Sequence, residues 1–137
     1  MSTCIATITD CGTWGGVNNM NGAEAVIRAL EQEGVRYITG FSGGGLAPLW
    51  EPLRSSATIR VFSSRHERLG VEIADGYARA TGQVGVAMTG TGPGATNTLT
   101  GIADCYADNV PVLLLMGQHP LRNLGKEYQQ EVSASIF

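Results

Sequence analysis

The sequence predicts an α/β domain with a doubly wound, mostly parallel sheet and helices on both faces. Three observations carry this expectation. Short β-rich runs alternate with segments of helical periodicity along most of the 137 residues. The run VPVLLLM, residues 110–116, is almost unbroken in its apolar character, as expected of a central strand buried on both sides. Glycine-rich turns follow the first, third and fourth predicted strands, at the strand ends where open α/β sheets bind ligands. A chain of this length fits one domain with one core.

Residues 1–20 mix Thr, Gly, Asn and Cys without periodicity and read as a mobile leader, which leaves 21–137 as the domain. Asn21 with Glu24 three positions on forms an Asx variant of the capping box. Ala23, Val26, Ile27 and Leu30 then make an apolar stripe, and Gly34 supplies the stop. Residues 35–41 read as a strand, 46–54 as a short helix and 59–62 as a second strand. The segment 67–81 carries Leu69, Ile73 and Tyr77 at intervals of four and ends at Gly82, so it reads as a helix. A strand over 84–88, a helix over 95–107 and the strand over 110–116 complete the alternation.

Several function classes are excluded by composition. With a net charge of -3, one lysine and eight arginines spread along the chain, there is no basic stripe to neutralise phosphates, and no nucleic-acid partner is expected. The longest apolar run is too short to span a bilayer, and no signal-peptide pattern opens the chain, so no membrane partner is expected and a cytoplasmic location is. Cys4, Cys11 and Cys105 have no CxxC spacing and only two histidines for company, which indicates neither disulfides nor zinc. Hydrophobic residues at 43% against 15% charged residues predict that part of the surface is covered by a partner.

The segment SRHERLGVEIADGYARATG, 64–82, places His66 and Glu67 where a strand end meets a helix N-terminus, and the helix dipole favours a charged carboxylate there. Acidic residues are common in the first helical turn, so position alone leaves Glu67 open as a solvated terminal charge. In TGTGPGATN, 89–97, Gly90, Gly92 and Gly94 let the backbone approach a ligand at a helix start. This stretch also fits the G-x-G-x-x-G/A dinucleotide fingerprint. Against a Rossmann site, Pro93 removes an amide that a pyrophosphate would use, and the next strand ends in Gly117-Gln118 without an acidic residue for the ribose.

RHE, the ADGYARATG helix, TGTGPGATN and GIADCYADNVPVLLLMGQ, in this order and spacing, resemble the pyrimidine domain of the acetolactate synthase-like family of thiamin-diphosphate enzymes over residues 20–137. The resemblance implies that Glu67 is the catalytic glutamate, which hydrogen-bonds the aminopyrimidine ring nitrogen and promotes loss of the thiazolium proton. A carboxylate held in an apolar cleft has the raised proton affinity this needs. It further implies cofactor contacts from Phe41, Ser42, Gly43, Gly90, Gly92, Pro93, Gly94 and Asn97. Gln130, in the pair Gln130-Glu131, and His119 fall near the substrate, although Gln130 also reads as a surface residue and His66 and His119 as structural histidines. The chain departs from the family in having Phe41-Ser42-Gly43-Gly44 where Tyr-Pro-Gly-Gly is frequent, and Gln129 where an aromatic residue is usual.

The activity so implied is carboligation or decarboxylation of a 2-oxo acid such as pyruvate. The Gly-Asp-Gly and Asn-Asn elements of the diphosphate-binding domain are missing, so Mg²⁺ and the diphosphate are expected to be held by a separate domain or subunit, and a homo-oligomer is expected. FAD is possible in full-length family members but is not encoded here. The apolar ending Ser135-Ile136-Phe137 reads as a truncation. A rival reading is a non-catalytic, free-standing pyrimidine-like domain that binds or regulates a partner.

Overall fold

The computed structural model describes residues 20–41, 43–126, 131, 132 and 134–137. The leader expected over the first twenty residues falls, but for Met20, outside the described residues. The chain runs α1 (Gly22–Gln32), β1 (Tyr37–Gly40), a 3-10 turn (Gly44–Leu46), α2 (Ala47–Ser55), β2 (Arg60–Ser63) and α3 (Glu67–Thr81). It continues through β3 (Gly85–Thr89), α4 (Pro93–Thr96), α5 (Leu99–Ala107) and β4 (Val112–Met116).

Local chemistry sets most boundaries. The Asn21 side chain accepts the Glu24 N–H at 3.0 Å and the Glu24 carboxylate accepts the Asn21 N–H at 3.0 Å, so the capping box starts α1 as the sequence indicates. Gly82, at φ 70, closes α3 in the left-handed conformation that a side chain disfavours. The predicted helix over 95–107 is two helices. Pro93 starts α4 early, where its missing N–H costs nothing. Thr98 then stands between α4 and α5, and its hydroxyl donates to the Ala95 carbonyl at 2.6 Å.

All strand pairs are parallel, in the order β2-β1-β3-β4. Helices α1 and α2 cover one face, where Ile27, Leu30, Leu46 and Leu53 pack with Ile38, Val86 and Met88. On the other face α3 and α5 bring Val71, Ala74 and Cys105 against Ala87. This is the doubly wound α/β arrangement that the alternation of elements predicts.

One expectation about burial is corrected, and the packed side of α3 is a further finding. The apolar run 110–116 does not form a central strand: β4 is an edge strand of the described sheet, and Leu113 is 40% exposed. The fully buried strand next to it is β3, GVAMT, whose small Gly85 and Ala87 admit a close helix. Apolarity records what a strand can bury, whereas hydrogen-bonded neighbours decide what it does bury. Similarly, the stripe Leu69, Ile73, Tyr77 is not the packed side of α3. Leu69 is 45% and Ile73 41% exposed, and the buried side is Gly70, Val71, Ala74 and Ala78.

Candidate functional site

At the carboxyl ends of β1, β3 and β4 the chain is packed backbone against backbone. A Cβ on Gly43 would stand 2.7 Å from the Gly90 Cα, and one on Gly117 would stand 2.9 Å from the Gly45 carbonyl carbon. The three glycine turns therefore meet, as only residues without side chains allow. Below them Gly40, at φ 145, ends β1, and a Cβ on Gly70 would lie 2.6 Å from its Cα. That contact seats the first turns of α3 against the end of β1.

The start of α3 is fixed further by its cap. The Ser64 N–H donates to the Gly40 carbonyl at 2.7 Å, the Ser64 hydroxyl donates to the His66 carbonyl at 2.8 Å, and His66 Nδ1 accepts the Arg68 N–H at 3.2 Å. His66 thus has a structural task as the N-cap of α3. Glu67, the next residue, is half-buried and turns toward α4. Its Oε2 accepts a hydrogen bond from the Asn97 amide at 3.0 Å. Its Oε1 lies beside Gly94, 3.5 Å from where a Cβ there would stand. An alanine Cβ at 94 would stand in ordinary contact with the carboxylate and crowd the Thr89 hydroxyl, at 3.1 Å, so the glycine keeps this space open. Gly92, at φ 60 and ψ -119, adopts a backbone conformation suited to glycine and delivers Pro93 to the helix start.

Of the other residues singled out in the sequence, Gly43, Gly90, Gly92 and Gly94 form the turns just described, and Pro93 is the exposed first residue of α4. Phe41 follows β1, donates its N–H to the Met88 carbonyl at 3.3 Å and is 39% exposed. His119 follows β4, and its Nε2 is buried without a hydrogen-bond partner among the described residues. Ser42 and Gln130 lie outside the described residues. Glu131, beside Gln130 in sequence, turns to the Gly125 N–H, which it accepts at 2.8 and 2.9 Å.

Two residues here escaped the sequence reading. Gln118 ties the turns together: its Oε1 accepts from the Thr91 hydroxyl at 3.2 Å and its Nε2 donates to the Val132 carbonyl at 3.2 Å. Its place directly after Gly117 at a strand end was the available signal. Thr89, the last residue of β3, carries a buried hydroxyl without a partner among the described residues, and nothing in the sequence separates it from an ordinary strand threonine.

A groove of about 250 Å³ lies elsewhere, lined by Tyr37, Thr39, Phe62, Ile73 and Tyr77 among others, and shares no residue with the glycine turns, Glu67 or Asn97. It is apolar and aromatic-walled, whereas the turns present a carboxylate and an amide. The second is the candidate site. Among the described residues no three His, Cys, Asp or Glu side chains gather as a metal site.

Comparison with known proteins places the chain in a family. Residues 20–136 match the family described as thiamine pyrophosphate enzyme, N-terminal TPP binding domain. The chain belongs to this family. It is 47% identical over 115 residues to the probable acetolactate synthase large subunit of Methanocaldococcus jannaschii, covering 84% of this chain and 19% of that protein. To acetolactate synthase isozyme 3 large subunit of Escherichia coli it is 42% identical over 112 residues, 82% of this chain and 20% of that protein. The acetolactate synthase large subunit of Haemophilus influenzae is 39% identical over 115 residues, covering 84% of this chain and 20% of that protein. The chain thus spans about one fifth of the length of these relatives. It is the pyrimidine-binding part of a thiamine pyrophosphate enzyme, and neither the dinucleotide-binding reading nor that of a free-standing binding module is favoured.

The residues fit the ring half of that cofactor. Glu67 Oε1 is an acceptor without a hydrogen bond from a described residue, as a partner for the cofactor's ring nitrogen would need. No described helix is long and apolar enough to cross a membrane.

Proposed function

We propose that this domain activates thiamin diphosphate in a carboligase or decarboxylase of the acetolactate synthase type, acting on a 2-oxo acid such as pyruvate. The observation that carries the reading is the Glu67–Asn97 pair at the glycine turns. When bound, thiamin diphosphate supplies the nucleophilic carbon that no amino-acid side chain provides. Glu67 is the catalytic residue: with Oε2 held by Asn97, Oε1 is left to share a proton with a ring nitrogen. Gly43, Gly90, Gly92, Pro93 and Gly94 would hold the ring, with Phe41 beside it, and Ser42, next in sequence, is assigned to the same cofactor contacts. His119, which follows β4, and Gln130 are assigned to the substrate.

The domain covers residues 21–137, preceded by a leader. Mg²⁺ and the diphosphate are held by another domain or subunit, in an oligomer that works in the cytoplasm. The exposed Phe62, Leu69 and Ile73 support such an assembly, because together they leave apolar surface for a partner to cover.

The test is Glu67→Gln in an assembly that supplies the diphosphate-binding domain. Glutamine keeps the size and the hydrogen bond to Asn97 but cannot share a proton in the same way. Exchange of the thiazolium proton for deuterium, read by NMR after acid quench, should slow by about 10²–10⁴-fold. Exchange at the parental rate would return Glu67 to the role of a helix-terminal charge.

A further inference from the structure

The buried threonines of this domain engage their hydroxyls, with one exception. Thr39 donates to the Gly70 carbonyl at 2.6 Å and Thr98 to the Ala95 carbonyl at 2.6 Å. Thr89, at 0% exposure, has no hydrogen-bond partner for Oγ1 among the described residues. Its backbone is anchored, since its carbonyl accepts the Gly117 N–H at 2.9 Å. Buried hydroxyls without an acceptor are uncommon in folded proteins, and one beside a functional carboxylate calls for an explanation.

The surroundings of the orphan hydroxyl supply it. The point where a Cβ of Gly94 would stand is 3.1 Å from Thr89 Oγ1, 3.5 Å from Glu67 Oε1 and 3.8 Å from Glu67 Cγ. Because residue 94 has no side chain, that point is empty of its atoms, and the hydroxyl and the carboxylate flank the same gap. The oxygen on that side is the one that Asn97 does not hold.

We propose that Thr89 is a positioning residue for Glu67, its hydroxyl donating to Oε1 across the space left by Gly94. The terminal torsion of a glutamate is broad, so the carboxylate is able to turn toward the hydroxyl. A carboxylate offers about four lone-pair sites, so Oε1 keeps one for a ring nitrogen. Pinned by Asn97 at one oxygen and Thr89 at the other, the carboxylate plane is set before any ligand arrives. The catalytic meaning of this contact rests on the reading of Glu67 proposed above; the contact itself does not.

A double-mutant cycle on the full chain without cofactor tests it, by urea denaturation of the parent, Thr89→Val, Glu67→Ala and the double variant. A hydrogen bond to a charged group predicts that Thr89→Val, which keeps the shape, lowers the folding constant about 10-fold or more in the parent and leaves it unchanged or raised in Glu67→Ala. Thr89→Ser should restore the parental value to within about 3-fold. The Glu67 carboxyl ¹³C resonance should move in Thr89→Val and return in Thr89→Ser. An orphan hydroxyl with no link to Glu67 predicts the opposite sign, with Thr89→Val neutral or stabilising in both backgrounds, and that result overturns the proposal. Equal losses in both backgrounds overturn it too.

The parent chain provides a second measurement that needs no variant. The Thr89 hydroxyl proton should be protected from exchange and show a nuclear Overhauser contact to the Glu67 Cγ protons; its absence sinks the proposal. Coupling without an effect of Glu67→Gln on thiazolium exchange would leave the contact standing and remove its catalytic meaning.

Discussion

On the α1/α2 face the sheet is covered by large side chains, with Ile27, Leu30, Leu46 and Leu53 packed on Ile38, Val86 and Met88. On the α3 face the covering helix presents Gly70, Val71, Ala74 and Ala78. A Cβ on Gly85 would overlap the Ala74 carbonyl oxygen, and one on Gly101 would stand 3.0 Å from Val71 Cγ1. The first face is held by volume, so a helix there is free to shift a little as side chains repack. The second is held by backbone contact, which leaves α3 no such latitude. Glu67 is the first residue of α3, so the face with the smaller side chains is the one that places the carboxylate. Precision at a site and apolar area buried are different quantities here.

The sharpest way to break this comparison is to add one methyl group at the end of β1, on which Gly70 of α3 is seated. Gly40 has φ 145, and a Cβ there would overlap the Met88 carbonyl oxygen. Overpacking of ~1–3 kcal/mol and backbone strain of ~1–3 kcal/mol together predict a loss of about 2–6 kcal/mol for Gly40→Ala, measured by urea denaturation. A loss below about 1 kcal/mol would mean that the end of β1, and with it the seat of α3, yields against β3 as readily as the other face does.

The complementary change removes one methyl group from the loose face. Ile27 is 3% exposed on α1 and packs among side chains that are able to relax around it. Ile27→Val should therefore cost only about 0.5–1.5 kcal/mol, with the ¹³C signal of the Glu67 carboxyl unmoved. If that signal shifted as much as in Gly40→Ala, the two faces would be mechanically coupled and the contrast between them would fail.

The same contrast explains what was legible in the sequence. The helix over 67–81 and its stop at Gly82 were readable because period, cap and left-handed terminus are local properties. Asn21 and Glu24 announced α1 for the same reason. The packed side of α3 was not readable. Leu69, Ile73 and Tyr77 dominate any hydropathy pattern, yet the sheet takes the glycine and alanines, since these allow the closest approach. The edge position of β4 depends on which strands pair, and residues 110–116 do not encode that. At the site, Glu67 stood out by its place at a strand end. Its partnership with Asn97 spans thirty residues and follows from α4 being separate from α5. The isolation of the Thr89 hydroxyl is a fact about its neighbours, which no single position reveals.

Cys105 offers the smallest and most specific probe of the tight face. It is 4% exposed, on α5 where that helix meets α3, with its thiol 3.6 Å from the Asp75 carboxylate. Burial first, and then the charge and hydrogen bond of Asp75, push its pKa from an ordinary 9.0 to about 11. The sign of the pH effect follows from comparing the two states. Below pH 9 the thiol is protonated in both, so its contribution is constant. Between about 9 and 11 the unfolded chain releases a proton that the native chain retains, which draws the equilibrium toward the unfolded state. Stability contributed by this group is therefore full below the unfolded value and falls as pH rises toward the native one. Solvent screening reduces the effect to something on the order of 1 kcal/mol. The measurement is a difference, in which the contributions of other groups cancel: urea midpoints of the parent and of Cys105→Ala from pH 7 to 11. The two curves should run parallel to about pH 9 and then converge or cross as the parent alone loses the thiol's share. Curves parallel throughout would mean that the thiol ionises as freely in the folded chain as in the unfolded one, and that α5 stands off from α3 far enough to admit water.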